Sequence, residues 1–305
     1  MPRASRRGDV AVWYERDNRS GDGGGHVVGS AGYLNPGDAE VRFARTALVA
    51  DLDALVRHVW TAHWDVPPGE VRAQRVLTYP SANVVVQPGR ADLHGPDRVL
   101  SVQELTGRSW VVGVLLRPAA TRLLTATDPV RLVGAHEPLP TAPLPALTAA
   151  MTGTPGSGPS AAPAPADRPD HLADVAATLR AWLAPVAAGV DDAGLLANAA
   201  CRVAEERTDV LRAADLADAV GTTPRTLSRV VRAHTGLTPK WLIECRRLQA
   251  AAGALHTDPD ADLAALAADL GYTDQAHFTR RYRRVIGETP GATRRRARPP
   301  APPGR

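Results

Sequence analysis

Two stretches near the C-terminal end of the chain repeat one pattern. The first reads LADAVGTTPRTLSRVVRAHTGLTP over residues 216–239, and the second reads LAADLGYTDQAHFTRRYRRVIGETP over residues 266–290. The second copy carries one extra residue between its turn and its second helix. The matched positions are Ala217 with Ala267, Gly221 with Gly271, Leu227 with Phe278, Arg229 with Arg280, Gly236 with Gly287 and Pro239 with Pro290. Such a match indicates two copies of one supersecondary unit.

Each copy has the sequence pattern of a helix-turn-helix. A short apolar helix, over 215–220 or 262–270, ends at a glycine, which adopts positive φ without a Cβ penalty. Thr223 and Asp274 are placed to cap the second helices by accepting a free backbone N–H. Pro224 fits the first turn of its helix, where a missing N–H costs nothing.

The second helix of each copy is amphipathic, with arginines on the outer face. In the first copy, one face carries Leu227, Val230, Val231 and His234, and the opposite face carries Arg225, Ser228, Arg229 and Arg232. In the second copy, the inner stripe is Phe278, Tyr282 and Ile286. Small and polar residues followed by arginine are what base reading in the major groove requires, because arginine pairs bidentately with guanine. Ordinary helical hairpins with solvated charged faces are the alternative.

A third helix is predicted between the copies, over residues 239–255. Trp241, Leu242, Cys245, Leu248 and Ala252 recur there at helical spacing. As one helix it spans roughly 25 Å. A rigid connector of that length is suited to placing two recognition helices about one DNA turn apart, roughly 34 Å.

Residues 190–292 resemble the DNA-binding domain of the AraC/XylS family of bacterial transcription regulators. The resemblance is carried mainly by DLAALAADLGYTDQAHFTRRYRRVIGETPGATRR and extends to residues 209–255. It implies seven helices, with two helix-turn-helix units (about 212–234 and 262–286) joined by a central helix. Two positions depart from the family pattern: Ala276, where many members carry a polar residue, and Val231, where an aromatic is more usual.

The resemblance also implies which residues meet DNA. Base-facing roles fall on Arg225, Thr226, Ser228, Arg229, Gln275, Ala276, His277, Thr279 and Arg280. Further along the helices, phosphate contacts are expected from Arg232, Lys240, Arg281, Arg283 and Arg284. Such contacts add affinity and salt dependence rather than sequence specificity.

The residues before this helical part are organised differently. Val84–Val86, residues 101–105 and residues 110–116 are apolar, β-branched runs broken by Pro, Gly, Asn and Asp, which predicts short strands in a small β-sandwich or barrel. One helix is expected within this part from the spacing of Leu48, Leu52, Leu55, Val56, Val59 and Trp60. The predicted fold class is therefore α+β, with two domains.

The predicted division of the chain has six parts. They are a flexible arm (1–24), a β-rich domain (25–139), a Pro/Ala/Gly linker (140–169), a bridging helix (170–189), the DNA-binding domain (190–292) and a basic disordered tail (293–305). The linker prediction rests on a composition that has too few large apolar residues to fold.

The β-rich part resembles the cupin-like sensor found in a subgroup of these regulators. The residues that carry this resemblance are WTAHW (60–64), LTYPSANVVVQPG (77–89) and VVGVLLRPAATRLL (111–124). It implies a barrel that binds an effector or supports dimerisation. Trp60, Trp64 and Trp110 are candidates for an effector pocket, with core packing as the alternative. The effector itself is not indicated.

Charge and composition agree with a DNA-binding reading. Residues 223–305 carry 15 Lys and Arg against 7 Asp and Glu, whereas the first 222 residues carry 21 against 25. A basic C-terminal part on an otherwise acidic chain is typical of a polyanion binder. No apolar run reaches the roughly 18 residues of a membrane span, and two cysteines are too few for a disulfide framework or zinc cage. We therefore expect a cytoplasmic protein without membrane contact, and no cofactor.

Two functions of different class remain open. The first is a sequence-specific transcription regulator that binds promoter DNA, with RNA polymerase, an unidentified small-molecule effector and a second copy of the chain as further candidate partners. The alternative is a bifunctional enzyme whose cupin-like domain is fused to a DNA-targeting module. It needs a reactive cysteine or a metal set, yet residues 1–200 contain no Cys, and His58, His63, His94 and His136 lack the spacing of a metal motif. We therefore expect no enzymatic activity, no catalytic residue and no metal.

Overall fold

In the computed structural model, the described residues are 41–48, 50–76, 79–153 and 171–298. Those up to Arg246 form one compact unit, and those from Arg247 onward form another. The first helix-turn-helix therefore belongs to the unit of the β-sheet, whereas the sequence placed both helix-turn-helix copies in one domain. The predicted arm over 1–24 lies outside the described residues.

The first unit is built on antiparallel strands. These are β1 (Val41–Thr46), β2 (Val56–Asp65), β3 (Arg72–Val76), β4 (Asn83–Gln87), β5 (Arg90–His94), β6 (Ser101–Leu105), β7 (Arg108–Leu116) and β8 (His136–Pro138). Six of them form a sheet in the order β1-β2-β7-β4-β5-β8, and β3 pairs with β6 in a separate two-stranded sheet. The runs predicted as strands at 84–86, 101–105 and 110–116 are confirmed as β4, β6 and β7.

The helix predicted from Leu48 to Trp60 is wrong. The chain has a short 3₁₀ helix at Ala50–Leu52 and then enters β2 at Val56. β2 lies between β1 and β7 and is buried on both faces over most of its length. A strand of that kind carries apolar residues at consecutive positions, so its pattern resembles that of a buried helix.

Four helices complete the core around the six-stranded sheet: α1 (Pro118–Leu124), α2 (Pro129–Leu132), α3 (Leu144–Thr152) and α4 (His171–Ala187). The core joins Val84, Val112 and Val114 of the sheet to Leu147 of α3 and Leu179 of α4, and all five are fully buried.

The first part of the predicted linker is therefore folded. Residues 144–152 are helical, and Leu147 and Met151 are buried in the core of the sheet domain. The composition suggested a linker because Pro and Ala dominate, but two large apolar side chains one turn apart are enough to fix one face of a short helix. Residues 154–169 lie outside the described residues.

The rest of the chain is helical. The helices are α5 (Asp192–Glu206), α6 (Ala213–Ala219), α7 (Pro224–Thr235), α8 (Pro239–Thr257), α9 (Leu263–Asp269), α10 (Gln275–Ile286) and α11 (Pro290–Ala297). The predicted fold class, a β-rich part followed by an all-helical part with two helix-turn-helix units, is confirmed. Within the described residues, no helix combines the length and the apolar character needed to cross a lipid bilayer.

The predicted disordered tail begins too early. Residues 293–297 belong to α11, and the side chain of Thr293 is buried. Its hydroxyl lies 2.9 Å from the hydroxyl of Tyr282 on α10, so the last helix is fixed to the second helix-turn-helix. The sequence predicted disorder here because three consecutive arginines, at 294–296, are typical of a solvent-exposed segment without regular structure.

The folded role of α3 is testable by truncating one side chain. Leu147→Ala removes a fully buried side chain from the core. We expect it to lower the free energy of unfolding by about 2–5 kcal/mol. Leu195→Ala on α5 is the matched control, because Leu195 is 47% exposed. Equal urea midpoints for both variants would contradict the packing of α3.

The buried imidazole of His58 in β2 predicts a pH dependence of stability. Burial lowers its pKa from 6.5 to about 2, and the guanidiniums of Arg45, Arg57 and Arg117 add to this effect. The unfolded chain therefore binds one more proton than the folded chain between these two pH values. Stability is expected to be highest above pH 6.5 and to fall as the pH drops below it.

His58→Gln removes this titration. Between pH 7 and pH 5, the wild type should lose about 2 kcal/mol more of its free energy of unfolding than the variant, at ~1.4 kcal/mol per pH unit below pH 6.5. Urea titrations of both proteins at the two pH values measure the difference. Parallel losses in the two proteins would show that His58 does not titrate on unfolding.

Candidate nucleic-acid interface

The first recognition helix, α7, begins and ends at defined residues. Gly221 has φ 68°, a conformation that favours glycine, and it follows α6 as predicted. The Thr223 hydroxyl accepts a hydrogen bond from the Thr226 backbone N–H at 3.2 Å, and Pro224 occupies the first turn. The predicted cap is therefore confirmed, and these contacts fix where the helix starts relative to the turn.

One face of α7 is buried and the other is exposed. The predicted inner stripe is buried: Leu227, Val230, Val231 and His234. The opposite face exposes Arg225, Ser228, Arg229 and Arg232, while Thr226 is half-buried. Lys240, at the start of α8, is also exposed. The helix therefore presents three guanidiniums and a hydroxyl on one continuous strip.

The second recognition helix, α10, has the same construction. The Asp274 carboxylate accepts a hydrogen bond from the His277 backbone N–H at 2.6 Å, which confirms the predicted cap. Phe278, Tyr282 and Ile286 are buried as predicted. Phe278 contacts the rings of Tyr272 and Tyr282, with centroids 5.3 and 5.5 Å away. These aromatic contacts set the rotation of α10 about its own axis.

The outer face of α10 is basic and polar. Gln275, Ala276, Arg280, Arg283 and Arg284 are exposed, whereas His277, Thr279 and Arg281 are half-buried. The His277 ring meets the Tyr272 ring edge-on at 5.5 Å, so this imidazole flanks the exposed strip. Arginine and glutamine side chains on such a face match the hydrogen-bonding edges of guanine and adenine in the major groove.

α5 and α7 are attached to the sheet domain through contacts that sequence reasoning missed. The side chain of Asn198 on α5 accepts a hydrogen bond from the Ala119 N–H at 2.9 Å and donates one to the Ala54 carbonyl at 2.8 Å. Arg57 of β2 forms an ion pair with Glu205 of α5. An asparagine in a helix gives no sequence signal for a partner 79 residues away.

The end of α7 also packs closely on this domain. Gly236 caps the helix with φ 71°, and a Cβ there would lie 2.3 Å from the Pro129 carbonyl oxygen of α2. Only glycine fits this close approach. The sequence alignment matched Gly236 as a repeat position but gave no hint of this contact.

The three tryptophans proposed for an effector pocket do not lie together. Trp60 and Trp64 point to one face of β2, whereas Trp110 of β7 is paired with His63 and points to the other face. The Trp60 ring stacks on Phe43 and covers Gly113, where a Cβ would come within 1.9 Å of the indole. Trp110 is part of the apolar core. The three residues therefore do not line one shared pocket.

Three of the four histidines considered above take part in ring pairs within the described residues. His94 stacks on His136 with ring centroids 4.8 Å apart, and His63 meets His171 edge-on at 5.4 Å. Within the described ranges, no group of three or more His, Cys, Asp or Glu side chains is arranged to hold a metal ion. Both cysteines are buried, and burial raises the pKa of the Cys245 thiol to about 12.

α7 and α10 each have a buried apolar face and an exposed basic face, and each follows a shorter helix and a turn. The C-terminal part therefore belongs to the class of helix-turn-helix DNA-binding domains. Residues 216–296 match a family model described as "Helix-turn-helix domain", and residues 49–138 match one described as "Domain of unknown function (DUF6597)". The C-terminal domain is of the AraC type, as its resemblance to the AraC/XylS family predicted. No curated protein matches the chain.

The solved structures that match the chain share little sequence with it. The C-terminal domain of AraT, a response regulator from Geobacillus stearothermophilus, is 20% identical, with 35% of this chain and 88% of that chain covered and a TM-score of 0.32. ToxT from Vibrio cholerae is 11% identical, with 83% of this chain and 96% of that chain covered and a TM-score of 0.35. At these TM-scores the likeness has no weight for function.

The cap of α10 is testable by substitution. Asp274→Ala removes the acceptor for the His277 N–H and should lower the free energy of unfolding by about 1 kcal/mol. Asp274→Asn keeps an acceptor at the same place and should cost less than half of this. Urea titrations of the two variants measure the difference, and equal losses would contradict a capping role.

Proposed function

We propose that the protein is a sequence-specific, DNA-binding transcription regulator that reads the major groove with α7 and α10. The observation that carries the proposal is the pair of capped helices whose apolar stripes are buried and whose arginine-bearing faces are exposed. Both helices expose an arginine at the matched position, Arg229 and Arg280. A helix that reads bases must enter the groove in a defined rotation, which the buried stripes provide in both copies.

The proposed base-reading residues lie in the first two turns of each helix. They are Arg225, Thr226, Ser228 and Arg229 on α7, and Gln275, Ala276, His277, Thr279 and Arg280 on α10. Arginine and glutamine recognise guanine and adenine through paired hydrogen bonds, and Ala276 is suited to a thymine methyl group. The residues further along and beside the helices, Arg232, Lys240, Arg281, Arg283 and Arg284, are the proposed phosphate contacts.

The two helices are proposed to read successive major grooves. The support is the internal repeat and the single helix α8 that joins its copies, which has 19 residues and a length of about 28 Å. This length is of the order of one DNA turn, about 34 Å.

We further propose that the sheet domain modulates DNA binding, through an effector or through a second copy of the chain. The contacts of Asn198 with Ala54 and Ala119, and the ion pair of Arg57 with Glu205, support this. They join the sheet domain to α5, which packs against α7 in the same apolar core. A displacement within the sheet domain would therefore reach the first recognition helix.

Selection of bound duplexes from a randomised library tests the proposal directly. We expect the full chain to enrich one motif with two segments about one DNA turn apart. Enrichment of no motif would contradict sequence-specific reading. A single short segment would contradict simultaneous reading by α7 and α10.

Substitution of Arg280 separates base reading from general affinity. On the selected duplex, Arg280→Ala should cost about 1–3 kcal/mol of binding and relax the preference at one base pair. Arg284→Ala should instead weaken binding on every duplex and reduce the slope of log K against log salt by roughly 0.9. Quantitative gel shifts measure both quantities. An equal loss on all duplexes for Arg280→Ala would refute its base-reading role.

A further inference from the structure

A cleft of about 580 Å³ lies beside α7, on the flank of the helix that meets the sheet domain. One wall is formed by Arg229, Arg232 and Ala233 of α7, and the other by Arg122 of α1 and residues 125–130, which include the start of α2. Both walls belong to the same compact unit. Arg229 belongs to the face proposed to read bases, so the cleft opens directly beside the recognition surface.

The packing of α7 against α2 fixes the position of one wall of the cleft relative to the other. Gly236 leaves no room for a Cβ against Pro129 of the opposite wall or against Val133, which follows α2. His234 is buried two residues after Arg232, and its pKa is lowered by burial and by the guanidinium of Arg122. Arg122 of α1 therefore lies close to the recognition helix and shares its electrostatic environment.

The cleft carries an excess of positive charge. Arg122, Arg229 and Arg232 are exposed, and among the described residues no ion pair or hydrogen bond joins any of them to a carboxylate. Asp128 also lines the cleft, and its carboxylate accepts a hydrogen bond from the Val130 N–H at 2.9 Å.

A second carboxylate lies behind two hydroxyls of the same wall. Thr125 and Thr127 donate hydrogen bonds to Glu137, and these bonds lower the pKa of that carboxyl group. The cleft is thus lined by three guanidiniums and one carboxylate, that of Asp128, and a second carboxylate, that of Glu137, lies behind its wall. Three like charges around one open space favour an anionic occupant.

The position of the cleft identifies that anion. An α-helix with its side chains is about 10–12 Å wide and fills a major groove of about 12 Å, so a phosphodiester backbone runs along each flank of an inserted helix. The cleft lies along one flank of α7. We propose that Arg122 of the sheet domain contacts a DNA phosphate there, which extends the DNA-binding surface beyond the helix-turn-helix units.

This inference rests on the proposed function, since it requires α7 to enter DNA. It assigns Arg122 a positioning role, because a phosphate contact fixes the register of the protein on the duplex without reading sequence. It also makes the sheet domain a direct participant in DNA binding. Sequence reasoning assigned that domain only effector binding or dimerisation.

Salt titration of DNA binding by Arg122→Ala tests the inference. The full chain is measured on the library-selected duplex and on a duplex of scrambled sequence. One lost phosphate contact should reduce the slope of log K against log salt by roughly 0.9 on both duplexes. Between 50 and 200 mM salt, the wild type should then lose about 3.5-fold more affinity than the variant. Arg122→Lys, which keeps the charge, should retain most of the wild-type slope.

Arg108→Ala is the control, because it removes one guanidinium from the same domain, where Arg108 is exposed and pairs with Asp65. Arg108 begins β7 and α1 follows the far end of that strand, which has 9 residues and spans about 30 Å. We expect this variant to keep the wild-type slope. Asp128→Asn keeps an acceptor for the Val130 N–H but removes the negative charge, so it should strengthen binding to both duplexes. Thermal unfolding of each variant separates these effects from misfolding.

Three results would overturn the contact. They are an unchanged slope in Arg122→Ala, an equal change in Arg108→Ala, or tighter binding by Arg122→Ala, which would mean that the sheet domain obstructs the groove. Failure of the proposed function is a different result. If the wild type binds the selected and scrambled duplexes equally, sequence-specific reading fails, while the slopes on the scrambled duplex still decide the role of Arg122.

Discussion

Burial of one apolar stripe on each recognition helix is the constraint on which the rest of the molecule depends. Leu227 and Val231 of α7, and Phe278 and Tyr282 of α10, are fully buried. An amphipathic helix has one rotation that buries such a stripe, and this rotation places the arginines on the solvent side. The caps at Thr223 and Asp274 fix the helix starts. Core packing therefore sets the direction in which the charged faces point. Electrostatic attraction of a ligand then acts on arginines whose positions are already fixed.

The second constraint is the attachment of the first helix-turn-helix to the sheet domain. Asn198 satisfies two backbone groups of that domain, and Gly236 permits a contact that any side chain would block. Buried backbone groups need partners, so the removal of α5 would leave Ala54 and Ala119 without theirs. The sheet domain and α7 consequently form one unit, while α10 belongs to the other. The sheet domain is therefore in direct contact with α7, and through α5 it also packs against the apolar face of that helix.

The helix-turn-helix copies were predictable because their signals are local. Gly221, Thr223 and Pro224 act on the backbone within a few residues, and a period of 3.6 shows the inner stripe without knowledge of its partner. The failures also have physical causes. A strand buried on both faces resembles a helix in the sequence around Val59, and the helix around Leu147 depends on a core that lies elsewhere in the chain. In both cases tertiary burial, rather than local preference, decides the structure.

The amino-acid sequence by itself determined the two recognition helices, their caps and which residues they expose, because these depend on interactions within one or two helical turns. Tertiary structure alone decided three things. It separated Trp110 from Trp60 and Trp64, it attached α7 to the sheet domain, and it brought Arg122 beside Arg229 and Arg232. Residues 122 and 229 are far apart along the chain, so their proximity is set by the packing of α1, α2 and α7 and leaves no periodic pattern in the sequence.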